Sequence, residues 1–227
     1  MTNAPRVIVF DVNETLSDMS PIAARFVDVG APAPMATLWF ASVLRDGFAL
    51  AAAGSSEPFA RVADGALRVV LGPVDLDRSV DEAVGHIMSG FMSLAIHPDV
   101  AEGVDALRGG GLRLVTLSNG SAEVAERLLT AGAIRDRFER LLSVEDAGVW
   151  KPARASYDYA ARTCGVDLAE MMLVAVHPWD IDGASRAGMQ TAWINRNAGV
   201  YPSYCAPPDH EVASLPELAV RLEVDGA

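Results

Sequence analysis

The sequence predicts a doubly wound α/β protein: a parallel, Rossmann-like sheet core with a helical cap inserted after its first strand. Three observations carry this. Short apolar runs end in polar clusters, as the strands of a buried parallel sheet do. From Pro98 onward these runs alternate with helical patterns, the mark of a doubly wound sheet. Between the first run and Pro98 lies a stretch with helical patterns and no strand.

The elements follow in order. Val7-Ile8-Val9-Phe10 ends at Asp11, and Leu112 to Leu117 ends at Ser118-Asn119-Gly120. Met171 to Val176 ends at His177, and Thr191 to Ile194 ends at Asn195. The intervening helices are Val100–Arg108, a segment opened by the N-cap Ser121 and stopped by Gly132, Ala153–Cys164 between Pro152 and Gly165, and Asp180–Ala187 before Gly188. In the inserted stretch, Pro21–Val29, Met35–Ala53, Pro58–Leu71 and Val80–Leu94 read as helices, punctuated at Gly30-Ala31-Pro32, Gly54-Ser55-Ser56 and Gly72-Pro73. The division is therefore a core of residues 1–16 and 96–227 and a cap of residues 17–95.

Composition narrows the function. With 227 residues, 51% hydrophobic and 21% charged, the chain can fill a core and is not disordered. A net charge of −12 without a basic block argues against binding nucleic acid or an anionic membrane. An anionic substrate must then be captured by local groups. Two cysteines, Cys164 and Cys205, are too few for a disulfide scaffold or a zinc cluster and fit a reducing compartment. The first residues lack the pattern of a signal peptide and no apolar run reaches spanning length, so a cytoplasmic protein is expected.

Active sites of doubly wound sheets lie beyond the carboxyl ends of the strands, where Asp11, Ser118-Asn119 and His177 to Asp180 fall. Asp11, at a strand tip followed by a turn, is placed either as a nucleophile or as an ordinary Asx-turn residue. Ser118 and Asn119 could hold an anionic oxygen or cap the next helix. Lys151, ahead of a helix, is either a solvated lysine or the cation that keeps Asp11 ionised. Asp180 is either a base or a helix cap.

Taken together, Asp11 and Thr15, then Ser118-Asn119, then Lys151-Pro152, then Asp180-Ile181-Asp182-Gly183-Ala184 form an ordered set over nearly the whole chain. That set resembles the haloacid dehalogenase superfamily. Its Mg²⁺-dependent phosphatases carry a second Asp two residues after the nucleophile and a Gly-Asp pair at the third strand end. Asn13 and Ala175-Val176 stand there, and neither an amide nor a valine can do that work. The pattern is closer to the type II branch, the L-2-haloacid dehalogenases, through Leu38-Trp39, Leu141 to Val144, Tyr157, Trp179-Asp180 and Trp193 to Arg196.

The resemblance implies a hydrolase of short 2-haloacids that needs no metal or other cofactor. Asp11 attacks the α-carbon, halide leaves, and an ester forms. A water held by Asp180 and helped by Lys151 then attacks the Asp11 carbonyl and releases a 2-hydroxy acid. The backbone N–H groups of Val12 and Asn13, with the Ser118 hydroxyl, bind the substrate carboxylate. Thr15, Asn119 and Tyr157 orient the machinery, and Trp39, Phe40 and Trp179 line the pocket. Members often form homodimers, which the apolar cap allows here.

The chain departs from the family at three places. Phe40 stands where an arginine holds the departing halide, leaving Arg45 as the nearest arginine. Ala175 and His177 replace a serine and an asparagine; His177 could donate to halide or be structural. Glu14 replaces a glycine. Two other readings stand beside the dehalogenase: a phosphatase holding Mg²⁺ through Asp11, Asp180 and Asp182, and a member that binds a small carboxylate without turnover. His86 and His97 have no partner pattern and read as structural or surface residues.

Overall fold

The computed structural model describes residues 4–224. Six strands form one parallel sheet in the order β3-β2-β1-β4-β5-β6. They are β1 (Val7–Phe10), β2 (Arg113–Ser118), β3 (Arg140–Ser143), β4 (Met171–Ala175), β5 (Gln190–Ile194) and β6 (His210–Val212). The strand alternation sends Val7 and Val9 to one face of the sheet and Ile8 and Phe10 to the other. Both faces are buried, so the strand reads as a continuous apolar run.

One face packs on α5 (Val100–Gly109), α6 (Ala122–Ala131) and α10 (Leu215–Val224), through residues such as Val104, Leu129 and Leu218. The other packs on α8 (Arg154–Cys164) and α9 (Pro178–Ala187), and its apolar cluster continues into the inserted helices. A single turn, α7 (Val144–Ala147), follows β3. The sheet matches the doubly wound expectation and adds two strands. Arg140–Ser143 and the three-residue His210–Val212 occupy the two edges, where short, polar-flanked strands give little periodic signal.

Four helices lie between β1 and α5: α1 (Ile22–Val27), α2 (Met35–Ala52), α3 (Phe59–Leu71) and α4 (Val80–Phe91). Their apolar faces meet around Trp39, which is fully buried beside Phe26, Phe40 and Phe91 and donates its indole N–H to the Ala63 carbonyl at 3.0 Å. A capping box at Ser79 and Glu82 starts α4. The chain enters and leaves this helical block along neighbouring tethers. Ser17 bridges Ile96 in antiparallel fashion, Asp18 N–H reaches Ala95 O at 2.8 Å, and His97 N–H reaches Leu16 O at 2.9 Å.

Strand order reverses at β1, whose neighbours are β2 and β4. The crevice at such a switch point is where open α/β sheets bind their ligands. Asp11 sits at the carboxyl end of β1.

Candidate active site

The site is assembled from five strand ends and loops around a buried ammonium. Lys151 is fully buried, and its Nζ lies 3.0 Å from Asp11 Oδ1 and 2.5 Å from Asp180 Oδ2. The loop carrying it is locked to the end of β2 by a reciprocal pair: Lys151 N–H donates to Asn119 Oδ1 at 2.9 Å, and Asn119 Nδ2 donates to Lys151 O at 3.3 Å. Asp180, in the first turn of α9, also accepts from the Tyr157 hydroxyl at 2.6 Å. Both Asp180 oxygens are thus engaged. The close approach of α9 to α8 requires Gly183, because a Cβ there would lie 2.6 Å from the Tyr157 hydroxyl.

The other Asp11 oxygen, Oδ2, accepts from Thr15 Oγ1 at 2.7 Å, and Thr15 is itself held by the Val176 N–H at 3.1 Å. In the turn that follows, Glu14 has φ 61°, a left-handed conformation uncommon away from glycine and costing on the order of 1 kcal/mol. Two histidines hold it. His177 Nε2 donates to Asn13 O at 3.1 Å and His97 Nε2 donates to Glu14 O at 3.0 Å. Among the described hydrogen bonds the N–H groups of Val12 and Asn13 have no protein acceptor, which leaves them available to an anion.

Electrostatics set the protonation states. Burial pushes the Asp11 carboxyl up, but Lys151, His177 and the Thr15 hydrogen bond pull harder, so it ends below the usual carboxylate range. Burial opposes the Lys151 charge, yet Asp11 and Asp180 more than restore it, and the ammonium is held above its ordinary value. Asp180 goes the other way. Burial lifts it, the Asp11 charge lifts it further, and Lys151 and Tyr157 offset this only in part. Burial likewise raises Glu14. The result is an ionised Asp11 beside a more basic Asp180, a separation of the kind acid–base chemistry uses.

Of the residues named from sequence, Asp11, Thr15, Ser118, Asn119, Lys151, Tyr157, His177 and Asp180 come together here. Ser118, buried at the end of β2, accepts from Gly120 N–H at 2.8 Å. Trp179 stacks on His177 with ring centroids 5.1 Å apart, and its indole nitrogen is buried without a partner. The Phe40 ring lies 6.3 Å from His177, tilted by 31°. Beyond Phe40, His177 and Glu14 opens a cleft of about 750 Å³ between the helical block and the sheet.

Three expectations are corrected. Arg45 does not reach the site: it is exposed on α2 and bound to Asp46 at 2.8 Å, one residue along from the inward-facing Leu44. Trp39 belongs to the interior of the helical block, its N–H spent on Ala63. Asp182 faces away from Asp11, bound to Arg186 and the Ala206 N–H. A magnesium site built on Asp11, Asp180 and Asp182 therefore does not form, and the Lys151 ammonium already fills the space between the first two. Among the described residues no cluster of three His, Cys, Asp or Glu side chains is arranged for a metal. His97 was missed as a site neighbour; its position at the return tether, just after the helical block, was the available signal.

Comparison with known proteins identifies the family. A family model for haloacid dehalogenase-like hydrolases matches residues 5–188. The chain belongs to that family. An (S)-2-haloacid dehalogenase 4A from Burkholderia cepacia is 32% identical, the match covering 96% of this chain and 95% of that protein. An (S)-2-haloacid dehalogenase from Pseudomonas sp. (strain YL) is 29% identical over 92% and 90%. The solved structure of an L-2-haloacid dehalogenase superposes with a TM-score of 0.91 at 28% identity, covering 97% of this chain and 100% of that one. A dehalogenase solved with an intermediate complex gives 0.88 at 29% identity over 96% and 97%. This chain combines the Asp11–Lys151–Asp180 cluster with Phe40 and His177.

Proposed function

We propose that this protein hydrolyses short 2-haloalkanoic acids to 2-hydroxy acids through an ester on Asp11, without a metal. The observation that carries the reading is the Lys151 ammonium, fully buried and shared between Asp11 and Asp180. Displacement at a saturated carbon needs an ionised nucleophile, and Lys151 supplies the local positive charge for it. Asp180, lifted by burial, takes a proton from the attacking water. The free N–H groups of Val12 and Asn13, with Ser118, receive the substrate carboxylate. Asn119 fixes the Lys151 loop and Tyr157 fixes Asp180. Because Phe40 offers no donor, the unpartnered Trp179 Nε1 is assigned to the departing halide. The dehalogenase names of the relatives and the intermediate complex of a structural neighbour support the chemistry. The unpaired Cys164 and Cys205 support a reducing, cytoplasmic setting, and a homodimer is part of the same reading.

The test is halide release from (S)-2-chloropropionate and from haloacetates, with and without EDTA. Free halide that persists under chelation is expected. Turnover of a phosphate ester only with added Mg²⁺ overturns the reading. Asp11→Asn is expected to abolish release; full activity in a preparation whose substitution is verified by mass sinks the covalent route.

A further inference from the structure

The turn after β1 has two faces. Glu14 looks onto the broad cleft, whereas Val12 and Asn13 look onto a separate cavity of about 280 Å³ between that turn, the end of α4 and α6. Phe91, Leu94 and Leu128 give this cavity an apolar wall, and among the described residues no carboxylate lines it. Its serines are spent on the backbone, Ser17 on Val12 O at 3.4 Å and Ser93 on Gly90 O at 3.0 Å. Two polar groups remain. Among the described residues the Asn13 side chain has no hydrogen-bond partner, although Asn13 is only 7% exposed. Arg127, exposed on α6, has no ion pair among the described residues, and the adjacent Glu126 is taken by Arg135 at 2.6 Å.

A buried amide without a protein partner is costly, so the fold keeps it for a ligand that supplies one. Charge says which ligand. In a chain of net charge −12 the surface field repels anions, and an acid-free cavity with an unpaired guanidinium is a local exception. Guanidinium and amide N–H groups both donate, and a carboxylate has two oxygens to accept from them. The cleft on the other face of the turn carries Glu14 and Asp18 and disfavours the same group. The cavity also adjoins the place assigned to the substrate carboxylate. A Cβ on Gly120 would lie 3.2 Å from Ser118 Oγ and 3.8 Å from Asn13 Nδ2, so this glycine keeps open the space between that hydroxyl and the amide.

We propose that this cavity is a second carboxylate subsite, and that the substrates it selects are short 2-halodicarboxylic acids. The proposal rests on the haloacid reading and names its substrate class. The α-carboxylate lies on the N–H groups of Val12 and Asn13 and on Ser118. The carbon chain then runs along the apolar wall, and the distal carboxylate accepts from Asn13 Nδ2 and Arg127. At about 280 Å³ the cavity falls just under the usual range of small-molecule pockets, roughly 300–1,000 Å³, which suits a chain of a few carbons. Displacement at C2 is the reaction already described, and its product is a 2-hydroxydicarboxylate.

The experiment compares chloride release from (S)-2-chloroglutarate and (S)-2-chloropentanoate, which match in carbon count and differ in the distal carboxylate. The readout is the ratio of their kcat/KM values in the full chain. The wild-type ratio should be about ten in favour of the dicarboxylate, the effect of one charge-assisted hydrogen bond. Arg127→Met, at an exposed position, should cut the ratio about tenfold, chiefly by raising KM for the dicarboxylate. Asn13→Ala keeps its backbone N–H and should lower the ratio in the same direction. Raising the ionic strength should shrink the wild-type preference more than that of Arg127→Met. A wild-type ratio at or below one, or a ratio unmoved in either variant, overturns the subsite. Absence of chloride release from both substrates and from (S)-2-chloropropionate instead removes the haloacid reading itself, so the two failures are distinguishable.

Discussion

Asp11 has two neighbourhoods, and they are built differently. On the Lys151 side the ammonium, Asp180 and Tyr157 are fully buried and joined by contacts of 3.0 Å or less, a sealed chain between the end of β1, α8 and α9. On the His177 side the contacts are longer, the turn is strained, and Glu14 opens onto the cleft. The sealed side fixes charge. The loose side leaves room for a geometry that changes during reaction. A buried ion pair contributes little net stability because desolvation offsets the attraction, but losing one partner exposes the full cost.

That contrast is broken most severely at Lys151. Lys151→Met leaves two buried carboxylates without a counter-charge and should remove activity and about 3–5 kcal/mol of stability, measured by urea unfolding. The folded variant retains protons that the unfolded chain has released, so its deficit should grow as pH rises from 5 to 8. A deficit independent of pH would mean that the carboxylates are not buried as described.

Tyr157→Phe is the next test. The hydroxyl is one of the groups lowering Asp180, so its loss should raise Asp180 further. Asp180 must be ionised to take a proton, and activity disappears as pH falls through its value. The acid limb of kcat should therefore move to higher pH, with a stability loss of about 1.5–3 kcal/mol for a hydrogen bond to a charged group. An unmoved limb assigns the base elsewhere. The smallest effect is expected at Arg45, which faces solvent: Arg45→Ala should change kcat/KM and stability by no more than about 0.5 kcal/mol. A tenfold loss of kcat/KM would return this arginine to the substrate path.

The doubly wound sheet and the helical insertion were legible because β1, β2, β4 and β5 are short, mainly apolar runs, each closed by polar residues. The edges were not, since Arg140–Ser143 and His210–Val212 are too short to carry a period. Asp11, Ser118-Asn119, Lys151 and Asp180 stood out in the sequence because each lies at a strand end, just before a helix or in its first turn, and the fold brings them together. Arg45 was misread because distance along α2 does not say which side of the helix faces the sheet. Trp39 was misread because a tryptophan in an apolar helix is placed by partners far away in sequence, here Ala63 and Phe91. The link from His97 to Glu14 spans 83 positions and has no local signature at all.

That link has a mechanical consequence. His97 rides on the strand of chain returning from the four inserted helices, and it grips the backbone of the outgoing strand one turn from the nucleophile. Any hinge that spreads the two strands pulls on the peptide of Glu14 before it reaches Asp11. Tilting of the helical lobe and the shape of the turn that follows Asp11 are thus a single coordinate, with an imidazole as the coupling pin.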